Sequence, residues 1–227
     1  MNNTLPKLTK ASDKPAVIKS VCVFCASSMG TDPIYAQEAE KLGKALAENN
    51  IRLVYGGGSV GLMGTVAKAV LDNGGQALAV VPEPLYRHGS KQICEAIIVP
   101  DMHARKQRMA DESDAFVVLP GGYGTMEEML EMITWSQLNI HAKPMVLVNI
   151  KNFFGHFLDW IKHTIEQQFI SPNNRHIFVS CESSDQVIDE LKNYKAPDSR
   201  YALDWSKSGH NVHSKYSTFN PCEAKDQ

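Results

Sequence analysis

The sequence predicts an α/β protein: a doubly wound, Rossmann-like parallel sheet with helices on both faces. Three observations carry this. Short apolar runs alternate with stretches whose apolar residues recur at helical spacing. The runs are apolar throughout, as expected of parallel strands covered on both sides. Turns rich in glycine or serine follow the runs ending near residues 25, 55 and 119. In such a sheet these turns gather at the carboxyl edge, where ligands bind.

The elements follow in order. Residues 1–19 are polar and read as a leader. Residues 21–25 form the first strand, running into the small-residue loop Ala26-Ser27-Ser28-Met29-Gly30. Asp32 or Thr31 caps the next helix, with Pro33 at its first position. Residues 51–55 are the second strand, 60–72 the second helix and 77–81 the third strand. Residues 82–92 read as a loop and 97–99 as a short strand. Residues 101–112 form a helix, and 115–119 are the central strand. Pro120, Gly121, Gly122 and Gly124 break that strand before a helix over 125–137. Residues 144–150 are a strand, 153–169 a helix and 177–180 a last short strand. Ser183 or Ser184 caps a closing helix. The domain therefore spans residues 20–195. Residues 196–227 are a polar tail that docks through scattered aromatics or stays mobile.

The bulk properties exclude several classes. A chain of 227 residues with a net charge of −2 and no basic block is a poor nucleic-acid binder. Nothing is long and apolar enough to span a bilayer, and no secretory signal is present. Five irregularly spaced cysteines do not form a disulfide framework. Cys22 and Cys25 lie in a strand pattern and read as buried thiols, so a reducing, cytoplasmic setting is expected. His210 and His213 lack the further ligands a metal site needs; no metal is expected.

Two glycine-rich turns carry the chemistry. Gly56-x-Gly58-x-x-Gly61 spells the dinucleotide pattern between a strand and a helix. The acidic residue expected about 20 positions on is represented only by Asp72 or Glu83, both awkwardly placed. The alternatives are a phosphate cradle or a tight turn needed for packing. The second turn, residues 120–125, opens a helix whose first N–H groups and dipole suit a phosphate. Glu127, Glu128 and Glu131 sit just inside that helix. A phosphate needs no carboxylates for binding, although the dipole alone would favour them there. Which of Glu127 and Glu128 faces the cleft is open on periodicity. Arg105, Lys106 and Arg108 stand near another helix start, where cations oppose the dipole. They either grip an anion or form a solvated face paired with Asp101, Asp111 or Glu112. His103 and His141 read as structural.

Pro120-Gly-Gly-Tyr-Gly-Thr-Met-Glu-Glu128 resembles the PGGxGTxxE signature of the Lonely Guy (LOG) family of cytokinin-activating phosphoribohydrolases, some of which carry a lysine decarboxylase label. Met102-His-Ala-Arg-Lys106 and the run from Gly56 to Gly64 match two further elements in the same order. The resemblance implies hydrolysis of the N-glycosidic bond of AMP or N6-modified AMP, without a cofactor. It implies Arg105 and Glu128 as catalytic residues. Substrate binding would fall to Ser27, Gly57, Gly58, Ser59, Lys106, Gly122, Tyr123, Gly124, Thr125, Met126, Glu127 and Thr134. It also implies a homodimer or larger assembly, with the Met-rich helix and Trp135 as a candidate interface. The competing expectation is a nucleotide- or dinucleotide-binding module without chemistry. A decarboxylase would need a pyridoxal phosphate lysine, and Lys143 is read at the wrong edge.

Overall fold

A computed structural model describes residues 17–88 and 91–205. Most of the predicted leader, the tail beyond residue 205, His210, His213 and Tyr216 lie outside the described residues. Seven strands form one parallel sheet: β1 (Ser20–Phe24), β2 (Arg52–Tyr55), β3 (Ala77–Pro82), β4 (Glu95–Val99), β5 (Ala115–Val118), β6 (Met145–Val148) and β7 (Val179–Cys181). Their order across the sheet is β4-β3-β2-β1-β5-β6-β7. The chain winds outward from β1 to β4, returns to lay β5 beside β1, and winds outward again. The register at the return is Val21 opposite Ala115 through Phe24 opposite Val118. That reversal of winding is the switch point at which doubly wound folds open a ligand crevice.

Strand side chains feed two cores, as alternation demands. Val21, Val23, Leu53, Tyr55 and Val117 face α1 (Pro33–Glu48), α2 (Gly61–Asp72) and α7 (Val187–Asn193). Cys22, Phe24, Val54, Val80, Phe116 and Val118 face α4 (Met102–Asp111), α5 (Tyr123–Gln137) and α6 (Gly155–Glu166). Asp32 caps α1 by accepting from the Ile34 N–H at 3.0 Å, with Pro33 at the first position. Cys22 and Cys25 are buried free thiols that burial pushes up from the usual thiol pKa.

The structure departs from the sequence reading in several places. Residues 82–92 are not a plain loop: they contain the short helix α3 (Glu83–Arg87), begun by proline in its first turn. Helix α5 starts at Tyr123, two residues before the predicted Thr125, because Gly122 already supplies its cap position. Helix α6 is shorter at both ends than residues 153–169. Glu38, an unremarked polar residue of α1, is 3% exposed. Its carboxylate accepts from the Ser184 N–H at 2.6 Å and its main-chain carbonyl from the Ser184 hydroxyl at 2.8 Å. It thereby pins the turn that opens α7.

The described part of the tail docks on the C-terminal end of α5. The Tyr201 N–H donates to the Gln137 carbonyl (2.9 Å), Trp205 Nε1 to the Leu138 carbonyl (2.8 Å) and Arg200 Nη1 to the His141 carbonyl (2.9 Å). The first two contacts satisfy carbonyls that a helix end leaves without a partner.

Candidate active site

Three loops meet above the carboxyl ends of β1, β2 and β5. The loop after β1 is the keystone. The Ala26 N–H donates to the Pro120 carbonyl at 3.1 Å. The Ser28 and Ala26 carbonyls accept from the first-turn N–H groups of Leu62 (3.3 Å) and Met63 (3.1 Å). Two of the donors at the start of α2 are therefore consumed inside the fold. A third donor of the Gly56–Gly58 turn, the Gly58 N–H, is taken by Gln92 Oε1 at 3.1 Å.

The start of α5 is different. Gly122 offers no side-chain cap, and the first closing bond runs from the Met126 N–H to the Gly122 carbonyl. The N–H groups of Tyr123, Gly124 and Thr125 thus have no acceptor among the described residues. Nothing lies within 4 Å of where a Cβ would stand at Gly122 or Gly124. An open, uncapped helix start with a favourable dipole is suited to an anion. In the other candidate cradle the Gly58, Leu62 and Met63 donors are engaged, whereas these three are not.

Beside it lies a buried ion pair. Arg105 is 9% exposed and Glu128 7%. Arg105 Nη1 stands 3.2 Å from Glu128 Oε1. The guanidinium also donates through Nε to the Val80 carbonyl (3.3 Å) and through Nη2 to the Gly56 carbonyl (3.4 Å). A methyl group at Gly56 would overlap Nη2, so the glycine is what lets the arginine reach the pair. Burial raises the Glu128 pKa above the ordinary glutamate value, and the opposing pull of Arg105 does not cancel it. A carboxylate poised nearer neutrality is suited to general-base work.

Lys106, 6% exposed, points along a neighbouring seam to Glu127 and, at 3.0 Å, to Glu131. Burial would depress its pKa, but the two carboxylates outweigh it and hold the ammonium above its usual value. The two early glutamates divide between the two cations: Glu128 lies buried against Arg105, while Glu127, with its side chain 53% exposed, pairs with Lys106.

The remaining residues divide by distance from the pair. Thr125 is buried against Gly121, whereas Ser27, Ser59 and Tyr123 are exposed on the rim and Met126 is partly buried. Thr134 lies nearly two turns along α5, with its hydroxyl on the Leu130 carbonyl at 2.8 Å, and is not brought to the pair. Arg108 points outward to Glu112 at 2.7 Å, and Asp101 is simply the cap of α4. His103 is exposed. His141 is structural: burial lowers its pKa to about 4, so the ring is neutral. The Lys143 N–H donates to His141 Nδ1, which leaves the proton on Nε2 for the Met132 carbonyl. Sequence reasoning missed the Val80 carbonyl, Tyr55 and Gln92. Only Tyr55, adjoining the glycine run, carried any local signal.

A small apolar hollow of about 250 Å³ opens beside Gly121 and Gly122, walled by Met29, Tyr35, Leu62 and Phe153. It can house part of a nucleotide but not all of one. Hollows of about 630 and 640 Å³ lie at Lys19 and Arg52 and beside α6, away from the pair, and one of about 620 Å³ lies on α5 along Glu127, Glu131 and Thr134. Among the described residues no group of three or more potential metal ligands gathers, and no helix is long and apolar enough to cross a membrane.

Fold and site together define a doubly wound protein with an open anion cradle beside a buried carboxylate–guanidinium pair. Residues 63–191 match the family model described as "Possible lysine decarboxylase". Cytokinin riboside 5′-monophosphate phosphoribohydrolase LOG1 of Arabidopsis thaliana is 46% identical over 178 residues, 78% of this chain and 84% of that protein. Its paralogue LOG5, with the same described activity, is 45% identical over 182 residues, 78% of each chain. The chain belongs to the Lonely Guy family. Among solved structures, the molybdenum cofactor carrier protein of Chlamydomonas reinhardtii has a TM-score of 0.60, covering 80% of this chain and 98% of that one. At 21% identity that likeness is one of fold alone.

Proposed function

We propose that this protein hydrolyses the N-glycosidic bond of purine nucleoside 5′-monophosphates, releasing free base and ribose 5-phosphate. The observation that carries this is the Arg105–Glu128 pair, buried at 3.2 Å next to the open start of α5. Relatives named as cytokinin riboside 5′-monophosphate phosphoribohydrolases support it. The substrate phosphate sits on the N–H groups of Tyr123, Gly124 and Thr125. With the Gly58 N–H engaged by Gln92, the Gly57–Ser59 segment, together with Ser27, lines the ribose and base side.

The C1′–N bond breaks through an oxocarbenium-like state, as in other glycosyl hydrolyses. Glu128 accepts a proton from the attacking water and stabilises the positive charge at C1′. Arg105 holds the nucleotide and disperses charge developing on the base, which leaves with a proton from solvent. One water is consumed, and no electron acceptor or cofactor enters the balance.

The decarboxylase label is not supported by the lysines. A Schiff-base lysine needs a depressed pKa, yet Lys106 is held above its usual value by two carboxylates. Lys143, whose pKa burial does lower, is at the opposite end of the sheet, donating to the Ala110 carbonyl at 2.6 Å. The residues present do not fit pyridoxal phosphate. A dinucleotide module is likewise disfavoured, since the donors of its would-be cradle at Gly58, Leu62 and Met63 are taken.

As in the expectation from the family, the working unit is proposed to be a homodimer in a reducing, cytoplasmic compartment. The methionines of α5 are a weaker interface than expected, since Met129 and Met132 are buried in the core. Tyr123 and Leu130 on α5, and Trp160 on α6, offer the exposed apolar surface instead. Light scattering on the purified protein tests this.

The activity is tested by incubation with AMP and with isopentenyladenosine monophosphate, resolving products by chromatography. Free base and ribose 5-phosphate from the wild type, lost in Glu128→Gln with nucleotide binding retained, are expected. Tight binding without turnover by the wild type would refute the hydrolase.

A further inference from the structure

We infer that Tyr55 and Gln92 are positioning residues for Arg105, acting through the Gly56–Gly58 turn. The inference rests on the phosphoribohydrolase reading above. Arg105 is held at four points. Three are set by regular elements: Glu128 on α5, the Val80 carbonyl within the β3 ladder, and the Met102 sulfur one turn back on α4 at 3.9 Å. The fourth, the Gly56 carbonyl, stands beyond the end of β2 and has no ladder of its own. It is followed by Gly57 and Gly58 at φ +82° and +89°, the most permissive backbone in the site.

Such a turn gains a fixed position only if it is tethered. The tether is two-sided and falls on one residue. The Tyr55 hydroxyl donates to the Gly58 carbonyl at 3.1 Å, while the Gly58 N–H donates to Gln92 Oε1 at 3.1 Å. Tyr55 is fully buried in the core on the α1–α2 face, so its ring cannot swing away. The Cys94 sulfur lies 3.7 Å from the same hydroxyl and closes the chain of contacts. A core tyrosine and a glutamine 37 residues apart in sequence thus fix the backbone carbonyl that orients the guanidinium. Neither would be found by looking for groups that touch substrate.

The test is steady-state kinetics on Tyr55→Phe and Gln92→Met, each made alone and in an Arg105→Lys background, with melting temperatures alongside. Each tether is one neutral hydrogen bond, so each single change is expected to lower kcat about fivefold, with KM within about twofold. In the Arg105→Lys background the same changes should be nearly silent, because coupled residues are non-additive. A merely structural role, including loss of part of the protein to an inactive form, would lower the rate by the same factor in both backgrounds. That result, or wild-type kinetics in Tyr55→Phe, overturns the inference. Absence of turnover by the wild type itself would remove the hydrolase reading and this inference together.

Discussion

Gly56→Ala isolates the geometry of the pair without touching a titratable group. Gly56 is not among the residues with positive φ, so alanine meets no backbone penalty there. What it meets is Arg105. The new Cβ would overlap Nη2 and lie 3.2 Å from Cζ. Relaxed carbon contacts sit at about 3.5–4.0 Å, so the guanidinium has to retreat by roughly 1.5 Å. Retreat breaks the 3.4 Å bond to the Gly56 carbonyl and stretches the 3.2 Å approach to Glu128. A misplacement of about 1 Å at a reacting centre costs on the order of 100-fold in rate. The lost contacts should cost about 1–2 kcal/mol of stability, or roughly 2–8 °C in Tm for a domain of this size. The assay is turnover of AMP under saturation, with calorimetry on the same sample. A kcat within threefold of wild type would refute the claim that Gly56 sets the position of Arg105.

Three further predictions follow from the charges. The raised Glu128 pKa, owed first to burial, places the acid limb of kcat/KM above the ordinary glutamate value of 4.5, with activity lost as pH falls through it; a pH–rate profile checks this. Lys106→Met leaves Glu127 and Glu131 unpaired and removes a cation that lowers the Glu128 pKa, so the same limb should move to higher pH. Because Glu127 and Glu131 are partly solvated, the stability loss should be about 1–2 kcal/mol rather than that of a fully buried pair, read as a lower urea midpoint. Glu38→Ala removes a charge-assisted bond to the Ser184 N–H and should cost about 2–3 kcal/mol near neutral pH. The Glu38 pKa is lowered in the fold: burial opposes this, but Lys41 and Ser184 outweigh it. The ionised group's contribution is therefore present above the unfolded value near 4.5 and fades as pH falls through the lower folded one. Chemical denaturation across that range should show the gap between wild type and variant narrowing.

Most of the architecture was legible because strands buried on both faces write themselves as apolar runs, and the turns between them are spelled in glycine. Boundaries blurred where backbone rather than side chains decides: α5 begins at Tyr123 because of Gly122, not because of the apolar period that starts at Met126. The choice between Glu127 and Glu128 needed the direction of the helix against α4, which is a tertiary fact. Arg105 and Lys106 are neighbours in sequence yet serve different seams, one joining β3 and the turn after β2 to Glu128, the other meeting Glu127 and Glu131. Glu38 looked like any helix-surface acid; only the approach of Ser184, 146 residues away, makes it a buried cap. Tyr55 and Gln92 have no local pattern joining them, and the hydrogen bonds by which they meet go to the main chain of Gly58.

The seam between β1 and β5 bears on how the protein is made. Its paired residues are 94 apart, from Val21 to Ala115, so the two halves of the sheet can join only after a long loop has closed. Such closures are slow, since chain entropy is lost before the contacts form. Gly56, Val80 and Arg105 all belong to the first half, and Glu128 and the open start of α5 to the second. A nascent chain that has emerged only as far as the end of α4 owns the arginine without its carboxylate. Catalysis is thus withheld from every partly assembled form, and the return of activity during refolding should keep time with the final docking of the two halves rather than with the earlier gain of helix.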